Sequence, residues 1–263
     1  MITPLLGYII LLIGLFLYIN YKDNKSLQTA KEKLILLDTI LFLPREHLRY
    51  ILNKRDEFCQ NLKIDPIPIY VDFNNNRIQA YAAGSKNHFI VMERDLLLSL
   101  DKKSVVTVLA HELYHIEQNH AFRWFVTGMI LFSVGSIGFF IISTNYEFFI
   151  PFLKGCPDSF KVGMWGSGFY LYTSFLRDFF VLSRNYINHK NEYNCDYFSV
   201  KMMGVDVFCK MADYFYFIEV NRLGEKRANS SSLRQSHPSW MKRKDFVQKR
   251  ILKDNLSRKD LVD

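Results

Sequence analysis

A chain of 263 residues with 49% apolar and 16% aromatic content is long enough for one or two domains and too apolar to stay disordered. The formal net charge is +8, but Lys and Arg lie in short mixed runs among acidic neighbours rather than on one basic face, which argues against a nucleic-acid partner. The four cysteines, Cys59, Cys156, Cys195 and Cys209, make no CxxC pair, so neither a disulfide framework nor a cysteine zinc site is indicated.

Residues 2–21 carry no charged side chain and match the roughly 20 residues that a bilayer-spanning helix needs. Lys22, Lys25, Lys31 and Lys33 follow this run instead of preceding it, so an uncleaved anchor fits better than a signal peptide. The positive-inside rule then puts the chain that follows in the cytoplasm. Residues 34–43 form a shorter apolar stretch that contains Asp38 and ends at Pro44, the pattern of an interfacial or core helix. A charged helix is predicted over 45–62, and a short strand over 67–72 after the breaker Asp65-Pro66-Ile67-Pro68. Two strands, 77–83 and 87–92, flank turn residues 84–86, and helices are predicted over 94–100 and 103–120.

Residues 124–146 are again uncharged and long enough to span, with Gly128, Gly135 and Gly138 as small residues suited to close helix packing. Residues 162–183 are a weaker second run, interrupted by Arg177 and Asp178, and the two together predict a membrane hairpin. Beyond residue 183 the chain turns polar, helical and net basic. Positive charge thus flanks the hairpin on both sides, which puts both flanks in the cytoplasm.

The 103–120 helix contains His111-Glu112-Leu113-Tyr114-His115. Two histidines four apart differ by about 40° in azimuth, so both project from one helix face and can grip one Zn²⁺. In such HExxH sites the metal acidifies water and the intervening glutamate takes the proton as water attacks a carbonyl, which predicts peptide hydrolysis. A third ligand is needed, and Glu192 is the best candidate; Asp196 follows at i+4, on the same helical face, placed to accept the free N–H of a ligating histidine. His120 lies about 140° from His115 on a continuous helix and cannot close the same site, so it reads as structural. Cys195 is near enough for a fourth contact, but a closed site would leave no room for water, so it reads as packing. His115 and Glu192 can share one metal only if the chain crosses the bilayer an even number of times between them, a condition the hairpin meets.

With HExxH, a downstream ExxxD and a hairpin between them, the sequence resembles the HtpX-like membrane zinc metalloproteases, gluzincins related to the CAAX-prenyl proteases. The resemblance covers roughly residues 65–245. It includes Gln79-Ala80-Tyr81 where the family has Asn-Ala-aromatic, His120 after HExxH, and Ser236-His237-Pro238 with Arg243 near the end. It implies one Zn²⁺ per chain held by His111, His115 and Glu192, Glu112 as general base, and Asp196 behind the ligands. It makes His237 and Arg243 candidates for oxyanion and substrate contacts, and Gln79, Ala80 and Tyr81 a strand that pairs with extended peptides.

The expected fold is mainly α with a small β-sheet: an integral membrane protein whose gluzincin-type domain is interrupted by a transmembrane hairpin. Its parts are an anchor (1–21), a first catalytic segment (22–121), the hairpin (122–183) and a second catalytic segment (184–263). The implied role is an endopeptidase of the bacterial inner membrane that faces the cytoplasm and cuts misfolded membrane proteins. A membrane signalling metalloprotease and a non-catalytic zinc-binding scaffold are the alternatives.

Overall fold

The computed structural model describes residues 31–74, 78–84, 87–120, 157–228 and 237–259, with isolated positions between 14 and 29 and between 123 and 138. Two compact units result: one from Met1–Ala121, Asn191–Ser230 and Ser239–Asp263, the other from Phe122–Lys190 and Ser231–Pro238.

The first unit is helical around one small sheet. Its strands are β1 (Ile35–Leu36), β2 (Ile69–Asp72), β3 (Ala80–Ala83) and β4 (Phe89–Glu93), in the order β1-β2-β4-β3. Strands β2 and β4 run parallel in the centre and are buried along their whole length, whereas β3 pairs antiparallel with β4 at the edge and stays half-exposed. The turn leaving β3 needs glycine. Gly84 has φ +89°, and a Cβ there would lie 2.1 Å from the Asn87 carbonyl oxygen.

Helix α1 (Arg45–Leu62) spans the predicted residues, and α2 (Arg94–Ser99) and α3 (Lys102–Glu117) follow β4. Ile51 and Phe58 of α1, Leu96 of α2 and Val105, Val106, Leu109 and Leu113 of α3 share one core with the inward faces of β2 and β4. Each fully buried side chain of this size contributes on the order of 1.5–3 kcal/mol, which fixes the rotation of α3 and so the direction of its polar face.

Residues 34–43 do not form the expected helix. Ile35 and Leu36 pair antiparallel with Val71 and Tyr70, and Leu37–Thr39 make a single 3₁₀ turn closed by the Thr39 hydroxyl on the Leu36 carbonyl at 2.8 Å. The edge of β2 satisfies this backbone instead. Leu37, Ile40 and Leu43 are still buried, so the apolar spacing serves the core without a helix.

Helix α4 (Asp158–Met203) is one uninterrupted helix of 46 residues, ended by Gly204 at φ +92°. Residues 162–183 and the Glu192–Asp196 pair therefore lie on the same helix. After it come α5 (Val205–Leu223), α6 (Glu225–Ala228) and α7 (Trp240–Lys259). Among the described residues no helix is long and apolar enough to cross a membrane. The runs 2–21 and 124–146 lie outside the described residues but for isolated positions, and 162–183 is helical without being apolar enough to qualify.

Candidate metal centre

Helix α3 starts at Asp101, whose carboxylate accepts the N–H groups of Lys103 at 3.0 Å and Ser104 at 2.9 Å, a cap worth about 1 kcal/mol. With its apolar stripe in the core, His111, Glu112 and His115 face the other way. The two imidazoles converge until His111 Nε2 and His115 Nε2 are 3.0 Å apart.

The segment 191–203 of α4 is held beside α3 and α7 by aromatic stacking, Phe198 on Tyr114 at 4.7 Å and Tyr193 on Phe246 at 4.5 Å between ring centroids, and by the Tyr197 hydroxyl on Asp254. This docking brings Glu192 to the histidines: one carboxylate oxygen is 3.4 Å from His111 Nε2 and the other 3.4 Å from His115 Nε2. One turn further on, Asp196 accepts from His111 Nδ1 at 3.0 Å, which points the opposite ring nitrogen at Glu192. The expected His111–His115–Glu192–Asp196 constellation is thus brought together.

Arg243, at the start of α7, stands behind it. Its Nε and Nη2 donate to the two oxygens of Asp196 at 2.7 and 2.5 Å, and its Nη1 lies 3.1 Å from Glu192. The guanidinium is also stacked on Trp240 at 3.9 Å, and Trp240 on Phe215 at 4.7 Å. The family resemblance makes Arg243 a candidate for oxyanion and substrate contacts. The structure buries it and commits its fork to the two carboxylates, because two anions removed from water demand a cation at hydrogen-bond range. His237 is exposed and belongs to the second unit.

His120 departs from expectation in an instructive way. The predicted helix 103–120 stops at Glu117, and Asn119 takes the left-handed conformation at φ 49°, which Asn tolerates better than most residues. After this break His120 Nδ1 lies 2.8 Å from His115 Nδ1. The azimuth drawn on a continuous helix does not apply here; His120 touches the His115 ring at Nδ1, the edge opposite Nε2.

Three local charges are fixed by this geometry. Burial opposes ionisation of Glu192 and Asp196, yet the Arg243 charge and the hydrogen bonds from His111 hold Glu192 well below, and Asp196 below, the usual carboxylate value. Burial would likewise strip His111 of its proton, but Asp196 and Glu192 outweigh it and push its pKa up to about 10. Two buried carboxylates face the Arg243 guanidinium, and the His111 proton supplies the second positive charge. A metal ion held between the imidazoles and Glu192 would take the place of that proton, and His and carboxylate donors suit zinc.

His111, His115 and Cys195 also form a group able to hold a metal ion, their ligand atoms lying within 4.8 Å of one another. Glu192 and Cys195 therefore compete as third ligand. Burial and the neighbouring carboxylates raise the Cys195 thiol well above its ordinary pKa, whereas the Arg243 charge and the His111 hydrogen bond hold Glu192 well below its own.

Beside the two imidazoles on α3, Glu112 is half-buried and one of its oxygens accepts the backbone N–H of Ala82 at 2.8 Å. This ties the glutamate to edge strand β3. Ala80 and Tyr81 lie on that strand and Gln79 directly before it. Residues 50–251 match the sequence model of Peptidase family M48, a stretch that contains every site residue named here. No curated protein matches the chain.

Proposed function

The chain belongs to Peptidase family M48, and from that membership and the geometry of its metal centre we propose that it is a membrane-attached zinc endopeptidase. That it is a metalloprotease, a hydrolase acting on polypeptides, follows from the family. The finer reading assigns His111, His115 and Glu192 as zinc ligands, Glu112 as general base and Asp196 with Arg243 as the supports of the ligand set. One observation carries it: two imidazole nitrogens 3.0 Å apart face the two oxygens of the Glu192 carboxylate, each at 3.4 Å.

His111, His115 and Glu192 would hold the zinc, which would supply a Lewis acid for the peptide carbonyl and lower the pKa of water to about 7. Glu112 accepts the proton from the attacking water and returns it to the leaving amine. Asp196 holds His111 by Nδ1 so that Nε2 faces the metal position, and Arg243 keeps Asp196 and Glu192 ionised and in place. Gln79, Ala80 and Tyr81 receive an extended substrate by strand addition. His237, from the Ser-His-Pro stretch, is assigned to the developing oxyanion by family resemblance alone.

Purified protein is expected to hold one Zn²⁺ per chain and to cleave unfolded casein, with cleavage lost to a chelator and restored by zinc. Cleavage that survives complete zinc removal would sink the mechanism, and a protein that holds zinc but cuts nothing would be a scaffold. The His111 proton adds a sign to this experiment. Its pKa in the metal-free protein is raised to about 10, so below that pH zinc must displace a proton, and affinity should rise about tenfold per pH unit. A competition titration from pH 6 to 8 that comes out flat would show that zinc displaces no proton from this site.

Membrane attachment rests on the uncharged runs 2–21 and 124–146 and on the surface of α4. In the second unit Phe160, Tyr170, Leu171, Phe175 and Phe179 are exposed, large apolar side chains of the kind a lipid surface would cover. Arg177 and Asp178 on the same stretch pair with each other at 3.2 Å, which lowers the cost of placing them at a lipid interface. The proposed setting is a bacterial inner membrane with the metal centre facing the cytoplasm and misfolded membrane proteins as substrates. Alkaline carbonate extraction should leave the protein in the membrane pellet; release into the supernatant would remove the integral-membrane part of the reading.

A further inference from the structure

The ladder between β3 and β4 fixes which backbone groups of the edge strand point outward. Gln79 accepts the N–H of Glu93 at 3.1 Å, and the register continues as Ala80↔Met92, Tyr81↔Val91, Ala82↔Ile90 and Ala83↔Phe89. Hydrogen-bonded and non-hydrogen-bonded pairs alternate in an antiparallel ladder. Tyr81 and Ala83 therefore bond to β4, and the N–H and C=O groups of Ala80 and Ala82 face the open edge. One of these four is already engaged, because the Ala82 N–H donates to Glu112 Oε2 at 2.8 Å.

We propose that the Ala82 backbone amide is a positioning group for Glu112 and that it sets the register of a peptide added to β3, a proposal that rests on the assignment of Glu112 as general base. A charge-assisted N–H···carboxylate bond is stronger than a neutral one. It pins one oxygen and leaves the other to take the proton of the attacking water. The base is thereby referenced to the same strand that receives the substrate. An antiparallel peptide finds both a donor and an acceptor at Ala80, but only an acceptor at Ala82. The substrate residue opposite Ala82 gives its N–H to the Ala82 carbonyl and keeps its own carbonyl unpaired, beside Glu112. That carbonyl is the one left open to attack.

The test removes single donors from zinc-loaded, full-length protein and reads kcat and KM on labelled casein. Replacing Ala82 by lactic acid turns its amide into an ester and removes only the N–H; Ala82→Pro is a second route, tolerated where an edge-strand amide faces outward. Both should lower kcat about 10- to 100-fold, the cost of a misplaced catalytic group, with KM, bound zinc and melting temperature little changed. The ester at Ala80 removes a substrate donor instead and should raise KM more than it lowers kcat. A merely structural role for Ala82 would move zinc content, melting and KM together. An Ala82 ester with wild-type kcat overturns this proposal alone, whereas a wild type that holds zinc and cleaves nothing overturns the peptidase reading and this proposal with it.

Discussion

Glu112→Gln is expected to bind zinc as the wild type does and to cleave unfolded casein about 10²- to 10⁴-fold more slowly, the usual contribution of a positioned general base. The substitution is close to isosteric, and the amide oxygen can still accept the Ala82 N–H that the carboxylate accepts at 2.8 Å, so the link between α3 and β3 survives. What disappears is the carboxylate that takes the proton of the attacking water. His111, His115 and Glu192 converge on the metal position without help from Glu112, so metal analysis and melting should match the wild type. Comparable cleavage rates in the two proteins would mean that the proton goes elsewhere, and the mechanism would have to be rebuilt without Glu112.

The part of this site that depends on one helix was legible in the sequence. His111, Glu112 and His115 share a face because 3.6 residues complete a turn, and the Glu192–Asp196 pair follows the same rule on α4. Contacts that depend on how separate segments meet were not legible. The Arg243–Asp196 pair joins residues 47 apart, and nothing in the charge pattern selects Asp196 over other acids as its partner. The Ala82–Glu112 bond involves a backbone amide, which carries no sequence signal, and only the strand register shows that it points outward. His120 was misplaced because a continuous helix was extended through Asn119, although Asn near a helix end is a recognisable stop signal. Cys195 had a clue in its i+3 spacing from Glu192, but its approach to the imidazoles depends on how α4 docks against α3. Residues 34–43 failed as a helix for a related reason: an apolar run of that length satisfies a core in more than one backbone conformation, and the free edge of β2 decided between them.

Removal of the Arg243 side chain should do its damage to stability first and to catalysis second. Arg243→Ala leaves Glu192 and Asp196 buried with two negative charges and no guanidinium, and breaking a buried ion pair from one side costs about 3–5 kcal/mol. At about 2–4 °C per kcal/mol for a chain of this size, the metal-free variant should melt roughly 6–20 °C below the metal-free wild type. Zinc supplies a cation to the same two carboxylates, so the gap should narrow when both proteins are loaded. Arg243→Lys should fall between the two, since it restores charge but not the fork that reaches both oxygens of Asp196. Asp196→Asn in the Arg243→Ala background should recover part of the loss, because it removes one of the orphaned charges, and that recovery measures the coupling directly. Equal melting of Arg243→Ala and wild type without zinc would show that the guanidinium does not hold the ligand set together, and its role would then have to be sought at the substrate.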